Sequence, residues 1–197
     1  MKHTVRLTAT IIAAALGLVG CAEAQRPKYV IVMISDGCGY NHVTAGSLYQ
    51  FGKPEGWAYQ QFPVRLGMAH FPNGGSYDPA LAWSDFAYVK KGATDSAAAA
   101  TAMATGVKTY NGAIGVGPDK QPVKNILERA EEIGYASGVV TSVPFCHATP
   151  AGFLAHNEGR GNYCDIANAM LMSRAEVVMG AGHPLYDDSG KLLAAPK

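Results

Sequence analysis

Four short stretches of this chain hold residues able to do chemistry together. Asp36 follows the apolar run YVIVMI and precedes Gly37. A carboxylate there is either a hard oxygen ligand for a divalent metal or an ordinary turn aspartate. Ser96 closes the triplet Thr94-Asp95-Ser96, directly before an alanine-rich stretch. At a helix N-terminus such a serine is a nucleophile beside an anion drawn by the helix dipole, or simply part of the cap. No G-x-S-x-G elbow surrounds it. His147 and Thr149 stand two positions apart before Pro150, where a loop can aim an imidazole and a hydroxyl at one cation; a core histidine and a turn are the plainer alternative. Arg160, among Gly159, Gly161 and Asn162, is a bidentate phosphate clamp or a solvated loop charge. Taken singly, each residue is better explained by the structural alternative.

The elements that must position these residues alternate between strand and helix. Tyr29–Ile34 is continuous and β-branched, as expected of a strand buried on both faces. Ala97–Thr105 predicts a helix with Ser96 at its start. Pro122 is expected to open a second helix, VKNILERAEEI, stopped by Gly134. A second buried strand, Ala136–Val143, runs into Pro144-Phe145-Cys146-His147, and a helix-like segment leads on to a third strand at Glu176–Met179. Repeated β-α-β units imply an α/β fold with a parallel sheet. In such sheets ligands bind beyond the carboxyl ends of the strands, and Asp36, His147 and Thr149 all fall there.

Composition narrows the function classes. With 197 residues and 48% hydrophobic residues the chain is globular, not disordered. Lys plus Arg (16) nearly balances Asp plus Glu (15) without blocks of like charge, which argues against nonspecific nucleic-acid binding. Gly (23) and Pro (11) indicate many tight turns.

The N-terminus reads as a signal peptide over residues 1–20: Lys2, His3 and Arg6 precede an apolar stretch from Leu7 to Val19, too short to span a bilayer. Leu18-Val19-Gly20-Cys21 resembles a bacterial lipobox, which would lipidate Cys21; the alternative, cleavage after Ala24, discards it. The remaining cysteines, Cys38, Cys146 and Cys164, are odd in number and allow one disulfide whose partners spacing does not reveal, Cys38 with Cys146 being one geometrically allowed pair.

Three blocks together closely resemble the alkaline phosphatases: VIVMISDGCGY around Asp36, TDSAAAATAMATGVKTYNGAIGV from Thr94 to Val116, and HATPAGFLAHNEGR from His147 to Arg160. They occur in the family's order, and the resemblance runs from about Tyr29 to Gly182. It implies a three-layer sandwich with a mainly parallel central sheet, of which residues 21–197 would be the N-terminal part. It also implies hydrolysis of phosphate monoesters through a phosphoserine, with zinc and magnesium as cofactors. By position, Ser96 matches the attacking serine and Asp36 the carboxylate bridging zinc and magnesium. His147 and Thr149 match magnesium-side positions, Arg160 the phosphate-binding arginine and Asp95 the residue that steadies it. The implied setting is exported, periplasmic or membrane-anchored through Cys21, with no nucleic-acid partner and with a homodimer allowed.

In that family most zinc ligands lie in a D-x-x-x-H pair, a D-H dipeptide and a later histidine. No aspartate of this chain is followed by histidine at the next or the fourth position, so the expectation is a partial sequence of a longer phosphatase. His42, His70, His156 and His183 are the conceivable replacements, each more simply read as structural or solvent-exposed. Three alternatives stay open. One is a related phosphodiesterase or sulfatase, against which the DSAAAATAMATG block and Arg160 argue. The others are a lipid-anchored phosphate binder without catalysis, and a fragment that cannot fold alone.

Overall fold

Caps, more than length, decide where helices form in this chain. The computed structural model describes residues 27–181, 185 and 191–194; the expected signal segment 1–20, Cys21 and His183 lie outside the described residues. The chain divides into two compact units, one ending at Ser35 and one beginning at Asp36.

In the first unit the expected buried strand is not found. Tyr29–Ile34 forms no strand and has no ladder partner among the described residues, and its apolar side chains face solvent, Ile31 at 82% and Met33 at 91% exposure. A strand buried on both faces needs flanking strands and covering layers, and the described residues supply neither here.

The second unit opens with α1, Tyr40–Phe51, which ends at Gly52 in a left-handed conformation (φ 66°). A 3₁₀ turn follows at Ala58–Gln61. Asp78 and Asp85 cap two short helices, α2 (Pro79–Ser84) and α3 (Phe86–Gly92), through their side chains. Next comes α4, Ser96–Thr105, capped by the Asp95 carboxylate, which accepts a hydrogen bond from Ala98 N at 2.9 Å.

The following helix corrects the sequence expectation. Pro122 does not open it: the backbone there forms an isolated antiparallel bridge with Val116. Helix α5 starts at Ile126 and runs to Glu132. Asn125 supplies what Pro122 cannot, a side-chain oxygen accepting from Leu127 N and Glu128 N (both 3.0 Å), while Glu128 returns a carboxylate to Asn125 N at 2.8 Å.

Strand β1, Gly138–Pro144, is followed by α6 (Ala148–Ala151), α7 (Tyr163–Leu171) and β2 (Val177–Ala181). The two strands pair in parallel, with Gly138 opposite Val177 and Val140 opposite Met179, and the register breaks before Pro144 meets Ala181. This is the expected parallel β-α-β arrangement, and both strands start one or two residues later than expected.

The core is built of small side chains. Ala97, Ile114, Ala148, Ala151, Leu154, Ala155, Ile166 and Met170 form its main cluster. Alanines let α4 and α6 approach closely: a Cβ on Gly152 would lie 2.8 Å from that of Ala100. Thr101, fully buried in α4, donates to Ala113 O (3.0 Å) and accepts from Gly115 N (2.9 Å), tying the 113–115 segment to the helix. Cys38, Cys146 and Cys164 are free thiols, so the Cys38–Cys146 pair is not formed. Among the described residues no helix is long and apolar enough to cross a membrane.

Candidate active site

The loops before α4 and after β1 bring most of the sequence candidates together. Ser96 is the first residue of α4, and its Oγ donates to Asp36 Oδ1 at 3.2 Å. Thr149, in α6, donates from Oγ1 to Asp36 Oδ2 at 2.7 Å. One carboxylate thus collects two hydroxyls, from residues 60 and 113 positions away. The Thr149 hydroxyl, then that of Ser96, with Arg160 and His147 adding positive charge, together hold the Asp36 carboxyl below its ordinary range against a smaller opposing effect of burial.

His147 precedes α6 and stacks on Tyr163 with ring centroids 6.3 Å apart. Its backbone N–H is tied to Pro144 O at 2.8 Å, so the imidazole is held at the carboxyl end of β1, where the sheet topology led one to expect it.

Arg160 forms a second contact around the same helix start. Its Nη1 donates to Asp95 Oδ2 at 3.1 Å. Asp95 therefore serves two partners: Oδ1 caps α4, and Oδ2 receives Arg160 and also Gly112 N at 3.0 Å. Both members of the ion pair are partly buried, which favours a fixed geometry over the loose pairing of surface charges. Ser96 and Asp95 being adjacent, a hydroxyl and a guanidinium are presented at one helix N-terminus, where the dipole favours an anion.

The donor set can be tested against a metal. Asp36, Ser96 and Thr149 are oxygen donors converging on one carboxylate, which suits one side of a hard divalent cation such as magnesium. Zinc prefers nitrogen or sulfur donors in a closed set. Among the described residues no group of three or more His, Cys, Asp or Glu side chains is placed to hold an ion, so they do not build such a set. Two of the conceivable replacement ligands are otherwise engaged: His42 Nδ1 accepts from Gly39 N at 3.1 Å, and His156 bridges Gly115 O (2.6 Å) and Glu128 Oε1 (2.9 Å).

Two residues of the site escaped sequence reasoning. Gly112 sits between Asp95 and Arg160, its N–H on the first and its carbonyl accepting from Arg160 N at 2.8 Å. Asn111 ties down the loop that leads into Ser96. The only local signal was the Asn-Gly dipeptide, which announces a turn but not its distant partners.

Comparison with known proteins points to one family. The family profile described as "Alkaline phosphatase" matches residues 27–185. Alkaline phosphatase 4 of Bacillus subtilis is 36% identical over 171 residues, covering 81% of this chain and 34% of that protein. Alkaline phosphatase H of Pseudomonas aeruginosa is 34% identical over 189 residues, covering 85% and 37% respectively. The chain thus spans about a third of the length of these curated relatives. Among solved structures, the alkaline phosphatase of the Antarctic bacterium TAB5 matches with a TM-score of 0.60 at 36% identity, over 84% of this chain and 43% of that one. A mutant of that enzyme with Mg bound matches at a TM-score of 0.61 and 35% identity, with the same coverage.

Proposed function

This chain belongs to the alkaline phosphatase family, and from that premise we propose that it carries the phosphoserine-forming part of a phosphate monoesterase. The single observation behind the reading is that adjacent residues at the start of α4 reach two separate partners, Ser96 to Asp36 and Asp95 to Arg160. Nucleophile and anion receptor are thereby set side by side.

In this reading Arg160 donates to two nonbridging oxygens of the ester phosphate, and Asp95 keeps its guanidinium in plane. The helix N-terminus adds its positive end. Ser96 gives up its hydroxyl proton to solvent and its Oγ attacks phosphorus in line with the ester oxygen; the new Oγ–P bond forms as the P–O ester bond breaks, and the leaving alkoxide takes a proton back from solvent. A water then attacks the phosphoserine, frees inorganic phosphate and returns the proton to Ser96. Asp36, Thr149 and His147 would hold magnesium, and Asp36 with Ser96 would contribute to a zinc site completed by donors that the described residues do not supply. These ions would supply a lowered hydroxyl pKa and stabilisation of the charge on the attacking and leaving oxygens.

The cellular reading belongs with this proposal: residues 1–20 as an export signal, Cys21 as a lipid-modified first residue of a periplasmic or membrane-anchored protein, and residues 21–197 as the N-terminal part of one phosphatase domain able to pair as a homodimer. The deciding experiment is p-nitrophenyl phosphate hydrolysis at alkaline pH by the purified chain with zinc and magnesium, beside Ser96→Ala. Metal-dependent turnover lost in the variant would establish the monoesterase reading. The absence of a three-ligand group among the described residues favours one second reading, a phosphate binder without catalysis. A folded chain that binds inorganic phosphate and releases no p-nitrophenol would establish it.

A further inference from the structure

Three hydrogen bonds form a closed ring around the anion receptor. Asp95 Oδ2 accepts from Gly112 N (3.0 Å), Gly112 O accepts from Arg160 N (2.8 Å), and Arg160 Nη1 donates back to Asp95 Oδ2 (3.1 Å). Main chain and side chain of Arg160 are thus referred to the same peptide unit. Gly112 adopts φ +94°, with open space where a side chain would lie, so the requirement for glycine is conformational.

The ring keeps one geometry only if Asp95 does, and Asn111 controls Asp95. Its Oδ1 accepts from Asp95 N at 3.0 Å while its Nδ2 donates to Ala93 O at 3.0 Å. One amide therefore spans residues 93 to 95 as a neighbouring strand would, and it fixes the extended conformation of Asp95 (φ −96°, ψ 172°) that lets the carboxylate cap α4. No other side-chain type offers an acceptor and a donor at this separation on so short a stem except its own isostere, aspartic acid in the neutral form. Asn111 is itself exposed, so hydrophobic burial does not account for it. The far side of the turn is anchored independently by Thr101, through Ala113 O and Gly115 N.

We propose that Asn111 is a positioning residue for the phosphate receptor: through Asp95 and the Gly112 peptide it sets the direction of the Arg160 guanidinium. The inference rests on the reading of Arg160 given above, and its test separates the two. Inorganic phosphate binding to the full chain is measured by calorimetry for the wild type, Arg160→Ala and Asn111→Ala, alongside phenylglyoxal labelling of each arginine by mass spectrometry. Asn111→Ala is expected to weaken phosphate about tenfold and to raise labelling of Arg160 severalfold, with Arg129 and Arg174 unchanged. If Arg160→Ala binds phosphate as the wild type does, the receptor reading fails; the labelling of Arg160 still tests the positioning. If Arg160→Ala weakens binding while Asn111→Ala matches the wild type in both affinity and labelling, the positioning role is overturned. Should Asn111→Ala fail to fold, Asn111→Ser, neutral and with one oxygen that cannot span both partners, takes its place with the same two outcomes.

Discussion

Asp36 and Thr149, 113 positions apart, share a hydrogen bond of 2.7 Å, shorter than the 3.2 Å bond from Ser96 to the same carboxylate. The short helix after β1 thereby holds Oδ2 of the carboxylate whose Oδ1 receives the candidate nucleophile. A carboxylate held from two sides keeps its orientation whether or not a cation is bound, which is what preorganisation of a metal ligand requires.

The protonation of Asp36 should report that contact. Thr149 is the largest cause of its lowered pKa, followed by Ser96, Arg160 and His147. A depressed carboxyl stabilises the fold above its unfolded value and loses that contribution as pH falls through the folded one. Thr149→Val is therefore expected to move the Asp36 titration upward toward the ordinary aspartate range, read by carboxyl carbon NMR. Because Asp36 is exposed, the stability lost by the variant above about pH 4 should be small and weakened by salt. An unchanged titration would show that Thr149 does not govern this carboxylate.

Ser96→Ala should remove covalent labelling by substrate phosphate completely, because Ser96 carries the hydroxyl at the first position of α4, next to the Asp95 that holds Arg160. Acid-stable phosphate on the protein after incubation with a labelled monoester is the measurement. Folding should survive, since the bond lost is a single 3.2 Å contact at a partly exposed position. Persistent labelling of the variant would remove Ser96 from the reaction.

Arg160→Ala is expected to raise the inhibition constant for inorganic phosphate by roughly tenfold to a hundredfold, the value of hydrogen bonds to a charged group at about 1.5–3 kcal/mol. Unaltered inhibition in an active preparation would assign phosphate to other donors.

Stability should depend more on Gly115 than on Gly106, although both have positive φ (58° and 75°). At Gly106 a methyl group meets open space, so alanine costs only the left-handed backbone, about 1–2 kcal/mol. At Gly115 the same methyl would stand 2.2 Å from Ala155 O, and the segment cannot retreat while Thr101 holds it. Urea unfolding of Gly115→Ala and Gly106→Ala compares the two, and equal losses would show that the segment yields.

Legibility in the sequence followed the range of the interaction. Helix α4 and its capping residue are local matters, so Asp95, Ser96 and the alanine run announced them. Strands β1 and β2 were visible as apolar runs between turn residues. Tyr29–Ile34 carries the same pattern, yet pattern states what a segment can bury and not whether partners stand beside it. The start of α5 was misjudged because Pro122 tolerates both a helix start and an extended bridge; the Asn125 and Glu128 pair, three apart, was the better signal. Asn111 could be read only as a turn residue, because its role depends on a loop 16 positions earlier. The resemblance to the alkaline phosphatases carried the assignment of Asp36 and Ser96 to one metal-bearing site and the pairing of Asp95 with Arg160, which no periodicity contains.

The alanine face of α4 acts as a gauge block. Where Ala100 meets Gly152, the spacing between the helix that carries Ser96 and the helix that carries Thr149 is set by the two smallest side chains available. Any larger residue there would spread the two helices and lengthen both hydroxyl contacts to Asp36 at once. The tolerance of the chemistry would then be written into positions that never touch phosphate, and a methyl group added at residue 152 would be felt at residue 36.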